Sequence, residues 1–86
     1  MSKNAYGHVG AKDYVWEKAG RVRGHNPDTH RRDTMGNVIY YDSYGKATNM
    51  GWHIDHIRPQ AKGGSNNPRN LQALQWRANI VKSDKY

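Results

Sequence analysis

Cysteine and phenylalanine are absent from this 86-residue chain, and it has no long apolar run. The lack of cysteine excludes disulfides and any zinc site built from thiolates. No apolar stretch approaches the ~20 residues of a membrane-spanning helix, which indicates a protein that does not insert into membranes. Residues 1–14 also lack the apolar core of a secretory signal, so we expect a cytoplasmic location.

Acidic residues are also scarce. The chain has 7 Asp and Glu and 14 Lys and Arg, which gives a formal net charge of +7. Such a chain is attracted to polyanions, since each lysine or arginine that meets a phosphate releases condensed counterions. An anionic membrane surface fits less well, because the sequence contains no long basic amphipathic helix. The charge therefore predicts a nucleic acid, DNA or RNA, as the partner. We expect a monomer or weak dimer that a protein partner directs to its target.

Apolar residues make up only 35% of the chain, which limits it to one small core. We predict a single domain over residues 11–86, preceded by a flexible segment, residues 1–10, that is polar and has no periodicity. The tryptophans and branched residues must then supply most of the buried surface: Trp16, Trp52, Trp76, Ile39, Ile54, Ile57, Leu71, Leu74, Ile80 and Val81.

Apolar spacing and turn residues predict a small α+β fold with an N-terminal helix, three strands and a final helix. Residues 21–32 are basic and are broken by Gly24 and Pro27, which predicts a loop. Pro59 ends a strand, because proline cannot donate to a ladder. The predicted elements are a helix over 11–19, strands over 38–41, 52–57 and 71–74, a turn-rich loop over 60–69, and a helix over 75–83.

Two oxygen-bearing side chains suggest a metal site, Asp55 at the end of a predicted strand and Asn79 on the final helix. A strand, a long loop, a second strand and a helix can bring these side chains together across a cleft. Both offer hard oxygen ligands, which favour Mg²⁺ or Mn²⁺ over softer metals. With only two protein ligands, the ion keeps positions for water and for a phosphate, as hydrolysis of a phosphodiester requires.

His56 is the candidate general base beside this ion. Neighbours in a straight strand point to opposite faces, so Asp55 and His56 cooperate only if the strand twists or ends there, as Pro59 favours. An unperturbed imidazole titrates near ~6.5, which suits proton transfer at neutral pH. Asn70 is placed to pin the loop or to bond the backbone near His56, and Lys82 is placed to reach the scissile phosphate.

These residues also have ordinary alternatives, and for His56 the alternative is a packed or surface histidine. Asp55 can be a turn or ion-pair residue, and Asn70 can be a plain turn residue. Lys82 can contact a phosphate, or it can be a solvated surface charge. His53, two residues before Asp55, is a weaker candidate for a third ligand.

Basic side chains near these residues are the candidates for nucleic-acid binding: Arg58, Lys62, Arg69 and Arg77. Further candidates for phosphate contacts lie upstream, at Arg21, Arg23, Arg31 and Arg32. We interpret the two histidines of the same basic loop, His25 and His30, as surface residues.

Four motifs lie in order between residues 55 and 84: Asp55-His56-Ile57-x-Pro59, Gly63-Gly64-Ser65-Asn66, Asn70-Leu71-Gln72 and Asn79-x-x-Lys82-Ser83-Asp84. Together they resemble the HNH endonuclease family, whose core is a ββα-metal finger. The resemblance spans residues 51–85. Stretches upstream, at residues 33–37 and 42–45, also resemble small stand-alone bacterial and phage members of that family.

The resemblance implies metal-dependent hydrolysis of DNA at a single site. It gives the role of general base to His56 and the roles of metal ligands to Asp55 and Asn79. It also implies a structural, base-orienting role for Asn70. This chain lacks the paired Cys-x-x-Cys motifs of many members, so no structural zinc is expected. Asn79 stands where zinc-binding relatives carry a histidine, which favours magnesium.

The leading hypothesis is therefore a magnesium- or manganese-dependent HNH endonuclease acting on DNA. The alternative from the binding class is a catalytically weak or inactive HNH-like module that holds nucleic acid and needs a partner. A toxin-type effector nuclease would share the chemistry and differ in its biology. A basic RNA-packaging protein is the structural alternative, but it leaves the pairing of Asp55 with Asn79 unexplained.

Overall fold

The computed structural model describes residues 9–83, in which two helices and five short strands follow one another. The strands form two antiparallel sheets, one of order β1-β2-β3 and one of β4 with β5. This is a small α+β fold, as the sequence predicts. The elements are α1 (Val9–Lys18), β1 (Gly20–Arg21), β2 (His30–Arg32), β3 (Val38–Tyr40), β4 (Trp52–His56), β5 (Leu71–Gln75) and α2 (Trp76–Ser83), with 3₁₀ turns at Tyr41–Ser43, Gln60–Lys62 and Pro68–Asn70.

The second sheet and α2 have the predicted order of strand, long loop, strand and helix. The register pairs Trp52 with Gln75 at one end of the sheet and His56 with Leu71 at the other. Strand β5 runs directly into α2 with no connecting residue. The side chain of Gln75 caps the new helix by accepting a hydrogen bond from the backbone of Ala78 at 3.0 Å.

The first helix begins at Val9, two residues before its predicted start. The predicted flexible segment, residues 1–10, otherwise lies outside the described residues. Within the described residues, neither helix has the length and apolar character that crossing a bilayer requires.

The prediction of a loop over residues 21–32 was wrong in part, because β1 and β2 lie at its two ends. These strands are two and three residues long and carry mostly basic side chains, so they show no apolar alternation. They pair with each other and with β3, and the register places Arg31 opposite Ile39 at the centre of the sheet.

Arg31 is buried, which overturns its prediction as a phosphate contact. Its guanidinium donates to the carbonyl oxygens of Pro27 at 2.9 Å, Glu17 at 2.9 Å and Ala19 at 3.2 Å. The same group lies over the ring of Trp16. A buried charge needs such partners, and these contacts join α1 to the loop before β2.

The core lies where α1 packs between the two sheets. The rings of Trp16 and Trp52 are 5.2 Å apart, and Trp52 donates its indole N–H to the carbonyl of Tyr40 at 2.9 Å. Tyr41 packs against this cluster and donates its hydroxyl to Asp13 at 2.6 Å, a hydrogen bond that raises the pKa of Tyr41 to about 12. The buried cluster is Ala11, Val15, Trp16, Ile39, Trp52, Ile54, Leu71 and Ala73.

The predicted contribution of the last helix to this core was wrong. Ile80 and Val81 are 46% and 52% exposed, and Ile57 is 47% exposed. Trp76 is only half-buried. Helix α2 packs against the two-stranded sheet, but none of its described residues is buried, so its apolar side chains remain partly exposed.

Asp33 is the second buried charged residue, and its carboxylate joins the two sheets. Oδ1 accepts hydrogen bonds from the backbone N–H groups of Met35 at 3.0 Å and Asn37 at 2.8 Å. Oδ2 accepts from the side-chain amide of Asn37 at 3.1 Å and from the backbone of Gln75 at 2.9 Å. The turn between β2 and β3 is thereby attached to the junction of β5 with α2.

We predict that Asp33→Ala lowers the free energy of unfolding by roughly 3 kcal/mol, because it leaves several partly buried N–H groups without an acceptor. Urea unfolding followed by tryptophan fluorescence measures the change. Asp28→Ala, at an exposed aspartate of the same half of the chain, is the matched control. Variants that agree to within about 0.5 kcal/mol would contradict this role for Asp33.

Candidate metal and catalytic site

A cleft of about 340 Å³ lies between the end of β4, the following loop and α2. Four of the predicted site residues line it: Asp55, His56, Asn79 and Lys82. The strand end and the helix therefore meet as the predicted order of elements requires. Asn70 is not among the lining residues.

Asp55 and His56 share this cleft because β4 ends at His56. Asp55 pairs with Gln72 and His56 pairs with Leu71, so the ladder stops at the histidine. Beyond it, Pro59 cannot extend the ladder and the chain turns away into the loop. Neighbours in a straight strand point to opposite faces, but Asp55 and His56 both line the cleft.

Among residues 9–83, the hydrogen bonds to the carboxylate of Asp55 meet at one oxygen. Its Oδ2 accepts hydrogen bonds from Lys82 Nζ at 2.6 Å and from Gln72 Nε2 at 2.8 Å. Lys82 Nζ also donates to the carbonyl oxygens of His56 at 2.5 Å and Ile57 at 3.2 Å. The ammonium group expected at the scissile phosphate therefore lies against the carboxylate expected to hold the ion.

The ring of His56 is oriented by a residue that the sequence did not single out. His56 Nε2 lies 2.8 Å from Asn66 Oδ1, and the same oxygen accepts a hydrogen bond from Gln60 Nε2 at 3.2 Å. The contact with Gln60 supports Asn66 Oδ1 as the acceptor, which gives the proton of the neutral ring to Nε2. In that tautomer Nδ1 is the basic nitrogen of His56.

Asn70 closes the loop that carries these residues. Its Oδ1 accepts from the backbone of Arg58 at 2.8 Å, and its Nδ2 donates to the carbonyl oxygens of Arg58 at 3.1 Å and Ser65 at 2.8 Å. Its own carbonyl accepts from the backbone of Ile57 at 2.7 Å. Asn70 thus bonds the backbone of the two residues that follow His56.

The glycine pair of the loop forms a turn, as predicted. Gly63 has φ +91° and ends the 3₁₀ turn at Gln60–Lys62. A Cβ atom on Gly64 would lie 1.7 Å from the carbonyl oxygen of Arg58, so only glycine allows the loop to close onto this segment.

A model of the HNH endonuclease family matches residues 42–85, which is half of the chain and includes the whole cleft. This chain belongs to the HNH endonuclease family. No curated protein and no solved structure matches it. HNH proteins are in general endonucleases that use a divalent metal, so the match indicates a nuclease-type function involving nucleic acid.

The HNH cleft fits a hard divalent ion that keeps much of its water. Asp55 and Asn79 both line it, and the hydrogen bonds described for Asp55 go to Oδ2, which leaves Oδ1 for a cation. Among residues 9–83 there is no cluster of three His, Cys, Asp or Glu side chains that could hold a metal.

His53 does not line the cleft, so the geometry gives no support to a third ligand there. Its ring lies 6.4 Å from that of Tyr44, and its Nδ1 is buried with no hydrogen-bond partner among the described residues. We have no physical account of this unpaired nitrogen.

The four basic residues predicted to bind nucleic acid are all exposed and lie outside the cleft. Arg58 and Lys62 occupy the loop after β4, where Arg58 Nε donates to the carbonyl of Lys62 at 2.7 Å. Arg69 lies on the 3₁₀ turn before β5. Arg77 lies on α2, where its guanidinium is 5.5 Å from the ring of Trp76.

Sequence reasoning missed two residues of the HNH site, Asn66 and Gln72. Both lie inside motifs that were noted, but neither was given a role. The signal for Gln72 is its pairing opposite Asp55, which depends on the strand register. The signal for Asn66 is its position at the end of the glycine turn, but only the closed loop brings it to His56.

We predict that Asn70→Ala speeds hydrogen exchange at the backbone N–H of Arg58 by about tenfold, because the loop loses the acceptor and both donors of this side chain. Exchange followed by NMR measures the effect. Asn67→Ala, which removes only a local cap of the next 3₁₀ turn, is the control and should leave Arg58 unchanged. Equal exchange in both variants would show that Asn70 does not hold the loop.

Proposed function

We propose that this HNH protein is a magnesium- or manganese-dependent endonuclease that hydrolyses phosphodiester bonds of DNA. In this proposal His56 is the general base, and Asp55 and Asn79 hold the ion. The supporting observation is that these three side chains, from the end of β4 and from α2, line one cleft. The family match supports the same class of chemistry.

His56 would accept a proton from the attacking water. The water oxygen bonds to phosphorus, the bond from phosphorus to the 3′ oxygen breaks, and the 3′ oxygen takes a proton from solvent. Asn66, at 2.8 Å from Nε2, would fix the ring and stabilise the imidazolium that forms. The loop closure by Asn70 would keep the histidine at the strand end.

When bound, the divalent ion would act as a Lewis acid that offsets negative charge on the phosphate. Asp55 and Asn79 would hold it through their oxygen atoms. Lys82, whose ammonium lies 2.6 Å from Asp55, would add a fixed positive charge beside the reacting group. Catalysis would then rest on positioning and electrostatics, with no covalent intermediate.

The net charge of +7 and the exposed basic residues support DNA as the substrate. Arg58, Lys62, Arg69 and Arg77 would contact phosphates on either side of the cut. Such contacts position the duplex without reading its sequence, so we propose weak sequence preference. We also propose that the protein acts in the cytoplasm, as a monomer or weak dimer directed by a partner.

His56→Ala should lower the rate of plasmid nicking by at least about 10²-fold, the scale of a general base. The control is His25→Ala, which removes an exposed histidine outside the cleft and should cut at the wild-type rate. Binding of DNA, measured by fluorescence anisotropy, should be equal in the two variants. Nicking by His56→Ala at the wild-type rate would reject the proposed base.

Excess chelator should abolish nicking by the wild-type protein, and added Mg²⁺ or Mn²⁺ should restore it, because the proposed site leaves the phosphate charge uncompensated without an ion. Activity that persists in chelator would contradict the proposal. A wild-type protein that binds DNA in a salt-dependent manner and never cuts it would instead support the alternative, a module that only holds nucleic acid.

A further inference from the structure

We propose that Gln72 and Thr34 form a positioning pair that sets the orientation of the Asp55 carboxylate. This inference rests on the proposed role of Asp55 as a metal ligand. Thr34 lies outside the residues that match the HNH family, on the turn between β2 and β3. The N-terminal sheet would therefore contribute to the metal site.

Two hydrogen bonds link these residues in series. Gln72 Nε2 donates to Asp55 Oδ2 at 2.8 Å, and Thr34 Oγ1 donates to Gln72 Oε1 at 3.0 Å. Gln72 faces Asp55 directly across the β4–β5 ladder, so its backbone position is fixed by the register. Thr34 comes from 38 residues away in the chain.

The Asp55 carboxylate and the Thr34 hydroxyl together hold one orientation of the Gln72 amide. A carboxamide has a donor end and an acceptor end, and its two flipped states exchange them. Because a carboxylate only accepts hydrogen bonds, the NH₂ group faces Asp55, and the Thr34 hydroxyl anchors the other end of the amide by donating to Oε1. The flipped state would place Oε1 against the carboxylate, where two acceptors repel each other. Thr34 therefore acts on Asp55 only through Gln72.

The hydrogen bond from Gln72 determines which carboxylate oxygen of Asp55 can coordinate the ion. Gln72 and Lys82 both bond to Oδ2, which leaves Oδ1 as the oxygen available to a metal in the cleft. Without Gln72, the carboxylate would be held by the lysine alone and could rotate about its Cβ–Cγ bond. An outer hydrogen bond that fixes a ligand in this way contributes about 10- to 100-fold to metal affinity or activity.

The turn that carries Thr34 is rigid, because Thr34 directly follows the buried Asp33. The Asp33 carboxylate accepts hydrogen bonds from Met35, Asn37 and Gln75. The turn that presents Thr34 is thereby fixed to the same strand, β5, that carries Gln72. The hydroxyl and the amide thus belong to one rigid unit.

The test compares Mn²⁺ binding, by isothermal titration calorimetry, in Thr34→Val, Gln72→Met and the double variant. We expect each single change to raise the Mn²⁺ Kd about tenfold. The double variant should match Gln72→Met alone, since Thr34 acts through that residue. Thr34→Ser retains the hydroxyl and should restore the wild-type Kd, and Thr48→Val makes the same change at another exposed threonine and should have no effect.

Two further readouts separate positioning from stability. Melting temperature and DNA affinity in chelator should stay at wild-type values in Thr34→Val, because its side chain is exposed and does not line the cleft. A wild-type Mn²⁺ Kd in Thr34→Val, or losses that add in the double variant, would overturn the positioning pair. If Gln72→Met fails to fold, Thr34→Val with its serine and Thr48 controls decides alone.

Failure of the proposed function is distinguishable from failure of the pair. If the wild-type protein neither binds Mn²⁺ nor nicks DNA, the proposed function falls. The pair is then tested by NMR of the Gln72 side-chain amide protons, which should shift in Thr34→Val and in Asp55→Asn but not in Thr48→Val. Amide signals that stay unchanged in all three variants would overturn it.

Discussion

The buried carboxylate of Asp33 is the contact on which the arrangement of the two sheets depends. It accepts hydrogen bonds from both sides of the turn between β2 and β3, and from Gln75 at the point where β5 becomes α2. One side chain therefore fixes the N-terminal sheet, the last strand and the start of the last helix. The HNH cleft is built from the second sheet and α2, so its geometry depends on an aspartate that lies outside it.

Polar interactions of this kind compensate for a small apolar core. The chain has no phenylalanine and only 35% apolar residues, and its core consists mainly of Trp16, Trp52 and a few branched side chains around them. Arg31 and Asp33 are both buried, and each is surrounded by hydrogen-bond partners. Burying a charge is unfavourable unless it is fully bonded, so these residues demand one specific arrangement of the backbone around them.

The parts of this molecule that could be predicted from sequence are those that local rules govern. Pro59 and the glycine turn marked the end of β4 and the start of the loop, and the order of elements brought Asp55 and Asn79 to one cleft. Strands β1 and β2 could not be predicted, because two or three residues carry no periodic signal. The burial of Arg31 was equally hidden, since its partners are backbone carbonyls from α1 and from the loop before β2.

Other errors came from tertiary context. The apolar residues of α2 predicted a helix buried in the core, yet Ile80 and Val81 face solvent because the sheet beneath them has only two strands. The roles of Asn66 and Gln72 depend on contacts across the closed loop and across the ladder. No spacing rule along the chain gives the distance between such pairs, whereas Asp55 and His56 are neighbours in sequence and line the same cleft.

Strand β5 continues into α2 with no connecting residue. The rotation of the helix about its own axis is therefore as important as its position. Each residue turns an α-helix by about 100°, because a full turn takes ~3.6 residues. Inserting a single residue between Gln75 and Trp76 would therefore rotate Asn79 and Lys82 together by that angle, away from Asp55. The loop before β5 is constrained in a different way, because Gly64 and Asn70 close it onto Arg58. Changes of chain length at either end of β5 would therefore disturb the cleft.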